Sequence, residues 1–234
     1  FEKSWYAKRA PNFNVEFVGH PLVDRFSIEK NKNNKTTSDP DLFTAHPEVL
    51  LLPGSRQREL EKHLPGMLEA VKIIATELKI KVRIVLPNKK MLSLAKHIVP
   101  TGTEIILQIG NLEESLNHAI LTIASSGTVT MECAWFKVPT VVVYKTSLIT
   151  YIIGKLLVKV PYVAMPNILA EEEIFPEFIQ NEATPDNIAK ASLRILQDST
   201  ERQKILTGLK HIASQLGEPG ATTRAAKSIL HSIE

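Results

Sequence analysis

The sequence predicts an α/β fold, a doubly wound, Rossmann-like parallel sheet of six strands, and three observations predict it. From Glu48 onward, apolar runs of strand length alternate with helix-length segments whose apolar residues recur every three or four positions, the pattern of βαβ units. Runs such as LLLP, RIVLP and TVVVY are nearly continuous Val, Ile and Leu, which suits strands covered by helices on both faces. A length of 234 residues, 44% apolar and 23% charged, is enough to bury the core of one large or two small domains.

Taken in order, the expected strands are VLLLP (49–53), VRIVLP (82–87), EIILQI (104–109), ILTIA (120–124), TVVVY (140–144) and YVAMP (162–166). Helical periodicity falls between them at 63–79, 89–98, 112–118, 127–137 and 147–159. After Pro185 the segments 185–197, 199–216 and 221–233 are also helical in spacing, and Gly217, Pro219 and Gly220 break the last two apart. The polar run SIEKNKNNKTTSDPDLFTAH has the composition of a loop or linker. The chain therefore divides into a leading segment (1–26), a polar loop (27–46), a sheet domain (47–216) and a terminal helix (217–234) with no strand after it.

Composition excludes several classes of function. The net charge of +3 is small and its cations are interleaved with anions, so no nucleic-acid partner is expected. The single cysteine, Cys133, rules out an internal disulfide and a cysteine-rich zinc site, fits a reducing compartment, and reads as a small core residue. The first residues, FEKSWYAKRAP, carry neither the charged nor the apolar region of a secretion signal. The apolar stretch SLITYIIGKLLVKVPYVAMPNILA is interrupted by Lys155, Lys159, Pro161 and Pro166, short of the roughly 20 apolar residues a spanning helix needs. Within it, Tyr151, Ile152, Leu156 and Leu157 among lysines suit either an interfacial helix or one that covers a sheet.

The sequence has no GxGxxG after the first strand, no GxxxxGK[ST] and no HExxH, which removes the commonest nicotinamide, P-loop and metalloprotease readings. His20 and His63 lack partners at metal spacing and read as structural, so neither a metal nor a cofactor is expected.

Chemistry is expected where the strand order reverses. In a sheet of order 3-2-1-4-5-6, ligands bind outside the carboxyl ends of strands one and four. The loops that fall there are PGSRQRE (53–59) and SSGT (125–128). Gly54 permits close backbone approach, Ser55 can cap the helix that follows, and Arg56 offers a planar fork of donors suited to phosphate. Arg56 reads equally as a solvated or salt-bridged arginine in the charged run RQRELEK. Ser126, Gly127 and Thr128 open a helix whose free N–H groups suit an anion. Glu132 shares a helical face with Thr128, and sits among Met131, Cys133, Ala134, Trp135 and Phe136, so it requires polar partners; sugar hydroxyls or its own helix terminus could supply them. Asn167, after the sixth apolar run, suits either a ligand contact or a turn cap.

Four stretches, VEFVGHPLVD, VLLLPGSRQRE, ASSGTVTMECAWFKVPTVVVYKT and VKVPYVAMPNILAEEEIFPEFIQ, together resemble the carboxy-terminal half of the bacterial lipid-A-disaccharide synthase family over residues 1 to about 185. That resemblance implies a two-domain glycosyltransferase of the GT-B type. Such enzymes transfer 2,3-diacylglucosamine from its UDP derivative to 2,3-diacylglucosamine 1-phosphate with inversion, need no metal, and work in the cytoplasm at the inner membrane surface; a homodimer is compatible with it. It also implies that Gly54, Ser55 and Arg56 with Ser126, Gly127 and Thr128 face the diphosphate, Arg56 stabilising the departing UDP. Glu132 would hold the ribose, and Asn167 and Gln180 would lie near the donor. The stretch FEKSWYAKR matches the family where its amino-terminal domain ends, so the general base is expected in a domain outside this sequence and no residue is assigned to it. Two alternatives stand beside this reading, a UDP-N-acetylglucosamine 2-epimerase-like enzyme and a non-catalytic interaction domain that docks through residues 147–160.

Overall fold

A computed structural model describes residues 2–30, 47–146 and 161–233. The helix expected at 147–159 and most of the polar loop lie outside the described residues. Two compact units emerge, one made of Phe1–Thr36 and His211–Glu234 from the two ends of the chain, the other of Thr37–Lys210.

The larger unit holds a sheet of six strands, β1 (Glu48–Leu52), β2 (Lys81–Leu86), β3 (Ile105–Ile109), β4 (Ala119–Ser125), β5 (Thr140–Tyr144) and β6 (Glu177–Ile179), in the order β3-β2-β1-β4-β5-β6. Every pairing is parallel. All seven residues of the central β4 are buried, as a strand covered on both faces requires, whereas edge strand β3 leaves Ile106 and Ile109 exposed.

In chain order the helices are α1 (Glu2–Arg9), α2 (Pro21–Lys30), α3 (Gln57–Glu77), α4 (Lys89–Ile98), α5 (Leu112–His118), α6 (Val129–Trp135), α7 (Met165–Ala170), α8 (Pro185–Gln197), α9 (Ser199–Gln215) and α10 (Ala221–His231), with a 3-10 turn at Gln180–Glu182. Helices follow one another between the parallel strands along the chain, as βαβ units require. Helix α3 packs against α4 and α8, and α6 against α7. Leu60, Leu64, Met67, Val71 and Ile74 of α3 recur at helical spacing and are buried, the stripe that seats it on the sheet. Arg83 of β2 ties three strands together, donating to the Glu48 carboxylate at 2.6 and 3.0 Å and to Gln108 at 2.7 Å. Cys133 is fully buried, and burial pushes its thiol up to about 12, so it is an inert core residue.

One strand was misplaced by the sequence pattern. YVAMP (162–166) is not the sixth strand. Its amides are satisfied by a side chain: Val163 and Ala164 N–H donate to the Glu177 carboxylate at 2.8 and 2.9 Å, and the chain turns at once into α7 with Pro166 in its first turn. The three residues of β6 pair with β5 instead, Val142 opposite Glu177 and Tyr144 opposite Ile179. A second correction concerns α3, which begins at Gln57, six residues before the periodic stretch expected at 63–79, so most of RQRELEK is helix rather than loop.

In the smaller unit the two chain ends are locked by polar contacts. The Asp24 carboxylate in α2 accepts from the N–H groups of Gly220, Ala221 and Thr222 and from the Thr222 hydroxyl, capping α10. Arg224 of α10 donates to the carbonyls of Val18, Pro219 and Glu218. Among the described residues no helix is long and apolar enough to cross a membrane.

Candidate functional site

The register of the sheet sets the geometry of the site. Leu52, the last residue of β1, stands opposite Ala124 in β4. Neighbouring strands lie about 4.8 Å apart, so Pro53-Gly54-Ser55-Arg56 leaves the sheet beside Ser125-Ser126-Gly127-Thr128. Both loops are at the carboxyl edge, where the strand order reverses.

The β1 loop is shaped by Glu59. Its Oε2 accepts from the N–H groups of Ser55 (3.0 Å) and Arg56 (3.3 Å), and its Oε1 from the Arg56 guanidinium at 3.0 Å. The cap of α3 is therefore supplied by the third helical residue reaching back, and not by the Ser55 hydroxyl that the sequence suggested. Gly54 has φ +118, and a Cβ there would lie 2.6 Å from Glu59 Cβ, so the turn requires glycine. Arg56 is both a salt-bridged and an open arginine: its side chain is 82% exposed, and an exposed pair with Glu59 holds it only weakly.

The β4 loop is held from below. Ser126 N–H donates to Val143 O at 3.1 Å, and the Ser126 hydroxyl donates to Val163 O at 3.0 Å. Gly127 is open: nothing lies within 4 Å of where its Cβ would be. Thr128 is exposed at the N-cap position of α6, a helix of seven residues, and Glu132 one turn on is half-buried.

Asn167 and Gln180 are engaged with the protein. Asn167 is fully buried; its Nδ2 donates to Phe175 O (2.8 Å) and to Glu177 Oε1 (2.7 Å), while its Oδ1 accepts from Ile174 and Phe175 N–H (2.9 and 2.8 Å). Its amide is fully used, and its visible work is to fold residues 171–177 back onto α7. Gln180 pairs with both backbone groups of Thr146, at 3.3 and 3.4 Å, just past β5.

Two residues without an expected role at the site help to build it. Glu177 receives Val163, Ala164 and Asn167; burial pushes its carboxyl up against the opposing pull of those three donors. His63 of α3 is buried and bonds Pro53 O and Lys145 N–H, each at 2.9 Å. The sequence read it as structural, which these contacts match, but held no signal for its partners. Among the described residues no group of three or more His, Cys, Asp or Glu side chains gathers as metal ligands would.

The sheet order, with two polar loops meeting at the reversal, defines a doubly wound, Rossmann-like α/β fold. Solved structures that share the fold include a UDP-GlcNAc 2-epimerase from Neisseria meningitidis bound to UDP-GlcNAc (TM-score 0.63, 11% identity, 98% of this chain and 59% of that one). Another is the S. aureus MnaA–UDP co-structure (TM-score 0.61, 14% identity, 92% and 52%). A third is the spinosyn rhamnosyltransferase SpnG complexed with thymidine diphosphate (TM-score 0.55, 14% identity, 79% and 46%). At these identities the likeness shows the fold alone.

The family model for lipid-A-disaccharide synthetase matches residues 1–231, and the chain belongs to that family. Its relatives include the lipid-A-disaccharide synthases of Myxococcus xanthus (33% identical over 246 residues) and Coxiella burnetii (34% over 236 residues). Each alignment covers 100% of this chain, which spans 61% of the length of either relative.

Proposed function

We propose that this chain is the donor-binding part of a lipid-A-disaccharide synthase, which transfers 2,3-diacylglucosamine from its UDP derivative to 2,3-diacylglucosamine 1-phosphate with inversion. The observation that carries the reading is the family match over residues 1–231, on a chain whose β1 and β4 loops meet at one edge of the sheet. Arg56 leaves Glu59 and places its guanidinium on the diphosphate, where a bidentate, charge-assisted contact stabilises the leaving UDP. Gly127, with open space before it, lets a phosphate or sugar approach the backbone closely. Thr128 binds at the same loop, and Glu132 accepts from the ribose hydroxyls. Asn167 acts by shaping the wall of the donor site, and Gln180 by fixing the end of β5. The enzyme works in the cytoplasm, peripherally at the inner membrane where its lipid acceptor resides.

An inverting transfer also requires a base to take the acceptor proton. No residue of this chain is assigned to that step.

Titration calorimetry with UDP tests the reading. Wild-type protein is expected to bind with micromolar to millimolar affinity, and Arg56→Ala to bind roughly 10- to 100-fold more weakly, the loss for a charged hydrogen bond. No heat with UDP in either protein overturns it. Solved neighbours bound to UDP and UDP-GlcNAc support the nucleotide, and the UDP-GlcNAc 2-epimerase among them supplies the competing activity. Interconversion of free UDP-N-acetylglucosamine without a lipid acceptor would favour that activity.

A further inference from the structure

We propose that His63 is a positioning residue for the nucleotide site, a buried brace that holds the β1 loop and the end of β5 at one spacing beneath the β4 loop. The proposal rests on the reading of that crevice as a UDP-sugar site.

Strands β1 and β5 are not neighbours. With β4 between them, their ends are two strand spacings apart, about 9.5 Å. No backbone hydrogen bond reaches that far. The imidazole does: Nδ1 is 2.9 Å from Pro53 O and Nε2 is 2.9 Å from Lys145 N. A carbonyl only accepts and an amide N–H only donates, so Nδ1 carries the proton and Nε2 is bare. His63 is thereby fixed as one neutral tautomer, 1% exposed.

The residues it grips are next to functional ones. Pro53 precedes Gly54-Ser55-Arg56, and Lys145 precedes Thr146, the partner of Gln180. Both ring nitrogens are spent on these two backbone groups, so the ring sets their separation. The groups that bear on its charge are few. Burial is the largest influence and lowers the imidazole below its usual 6.5. The Pro53 carbonyl and the Glu59 carboxylate one turn earlier favour the proton, the charge of Lys145 opposes it, and the Tyr144 ring lies 6.5 Å away. Once protonated, Nε2 can no longer accept from Lys145, and one end of the brace is lost.

Two readouts test this. In labelled protein without ligand, ring-nitrogen NMR should show the Nδ1–H tautomer, and the Lys145 amide should move with His63 protonation at a pH below 6.5. UDP affinity is then measured from pH 7.5 to 5 in wild type, His63→Gln and His63→Ala. Gln keeps an acceptor for Lys145 and does not titrate, so it should match wild type within about threefold at pH 7.5. The affinity of wild type relative to His63→Gln should fall as His63 becomes protonated below pH 6.5, by up to roughly fivefold for the loss of one hydrogen bond, and taking the ratio cancels the ionisation of UDP itself. His63→Ala should bind about tenfold more weakly at every pH.

An Nε2–H tautomer, a Lys145 amide indifferent to His63, a ratio that stays constant through the pH at which the Lys145 amide moves, or wild-type affinity in His63→Ala would each overturn the proposal. If no protein in the set bound UDP, the crevice reading would fail, and the brace would be judged on the NMR result alone.

Discussion

Leu52 and Ala124 stand opposite each other in neighbouring parallel strands, and this pairing brings the loop that opens at Pro53 beside the loop that opens at Ser126. One loop carries an exposed cation, Arg56, and the other an uncovered backbone at Gly127. The consequences of that division can be measured residue by residue.

Gly127 should tolerate a side chain structurally and resist it functionally. The space beside it is empty, so Gly127→Ala is expected to change stability by no more than about 0.5 kcal/mol. Its affinity for UDP should nevertheless fall, because the methyl group occupies the approach to the loop. Thermal melting and calorimetry on one preparation separate the two effects; unchanged affinity would place the ligand elsewhere.

Gly54 should behave in the opposite way. With φ +118 and Glu59 atoms 2.6 Å from a Cβ, Gly54→Ala strains the turn and displaces the cap of α3. A destabilisation of about 2 kcal/mol is expected in urea unfolding, accompanied by weaker UDP binding.

Asn167→Ala should unfold the region around α7 more readily than any truncation on the site's surface. It leaves two buried N–H groups, one carbonyl and the Glu177 carboxylate each short of a partner, a cost of about 3 kcal/mol. Asn167→Asp sets a second carboxylate against Glu177, so its deficit should shrink as pH falls and one of the pair is protonated. Denaturation curves at pH 7 and pH 5 check the direction.

Asp24 governs acid stability in the smaller unit. Thr222, through its N–H and then its hydroxyl, and after it Gly220 and Ala221, hold the Asp24 carboxyl at about 2, against 3.8 for a free one. A carboxyl with a depressed folded value contributes stability above the unfolded value and loses it as pH falls toward the folded value. The loss should therefore run from about pH 4 to pH 2. Asp24→Asn should melt at lower temperature than wild type at pH 7, and the two curves should converge in that acid window.

Much of this arrangement was legible in the sequence, and the failures have local causes. Continuous Val, Ile and Leu placed five strands, and the assumed order put PGSR and SSGT side by side, as the register does. YVAMP is as apolar as those strands, yet its amides are taken by Glu177, and a side chain arriving from beyond α7 leaves no periodic trace. The start of α3 was missed because a charged run resembles loop; the spacing of Arg56 and Glu59 was the available signal. The brace at His63 joins residues 82 apart in the chain, a contact that only the folded sheet creates.

A crystal structure of the protein with UDP should show the diphosphate between Gly54–Arg56 and Ser126–Thr128, the Arg56 guanidinium moved off Glu59 onto a phosphate oxygen, and the ribose at Glu132. A nucleotide that touches only one of the two loops, or that binds with Arg56 still paired to Glu59, would contradict this arrangement.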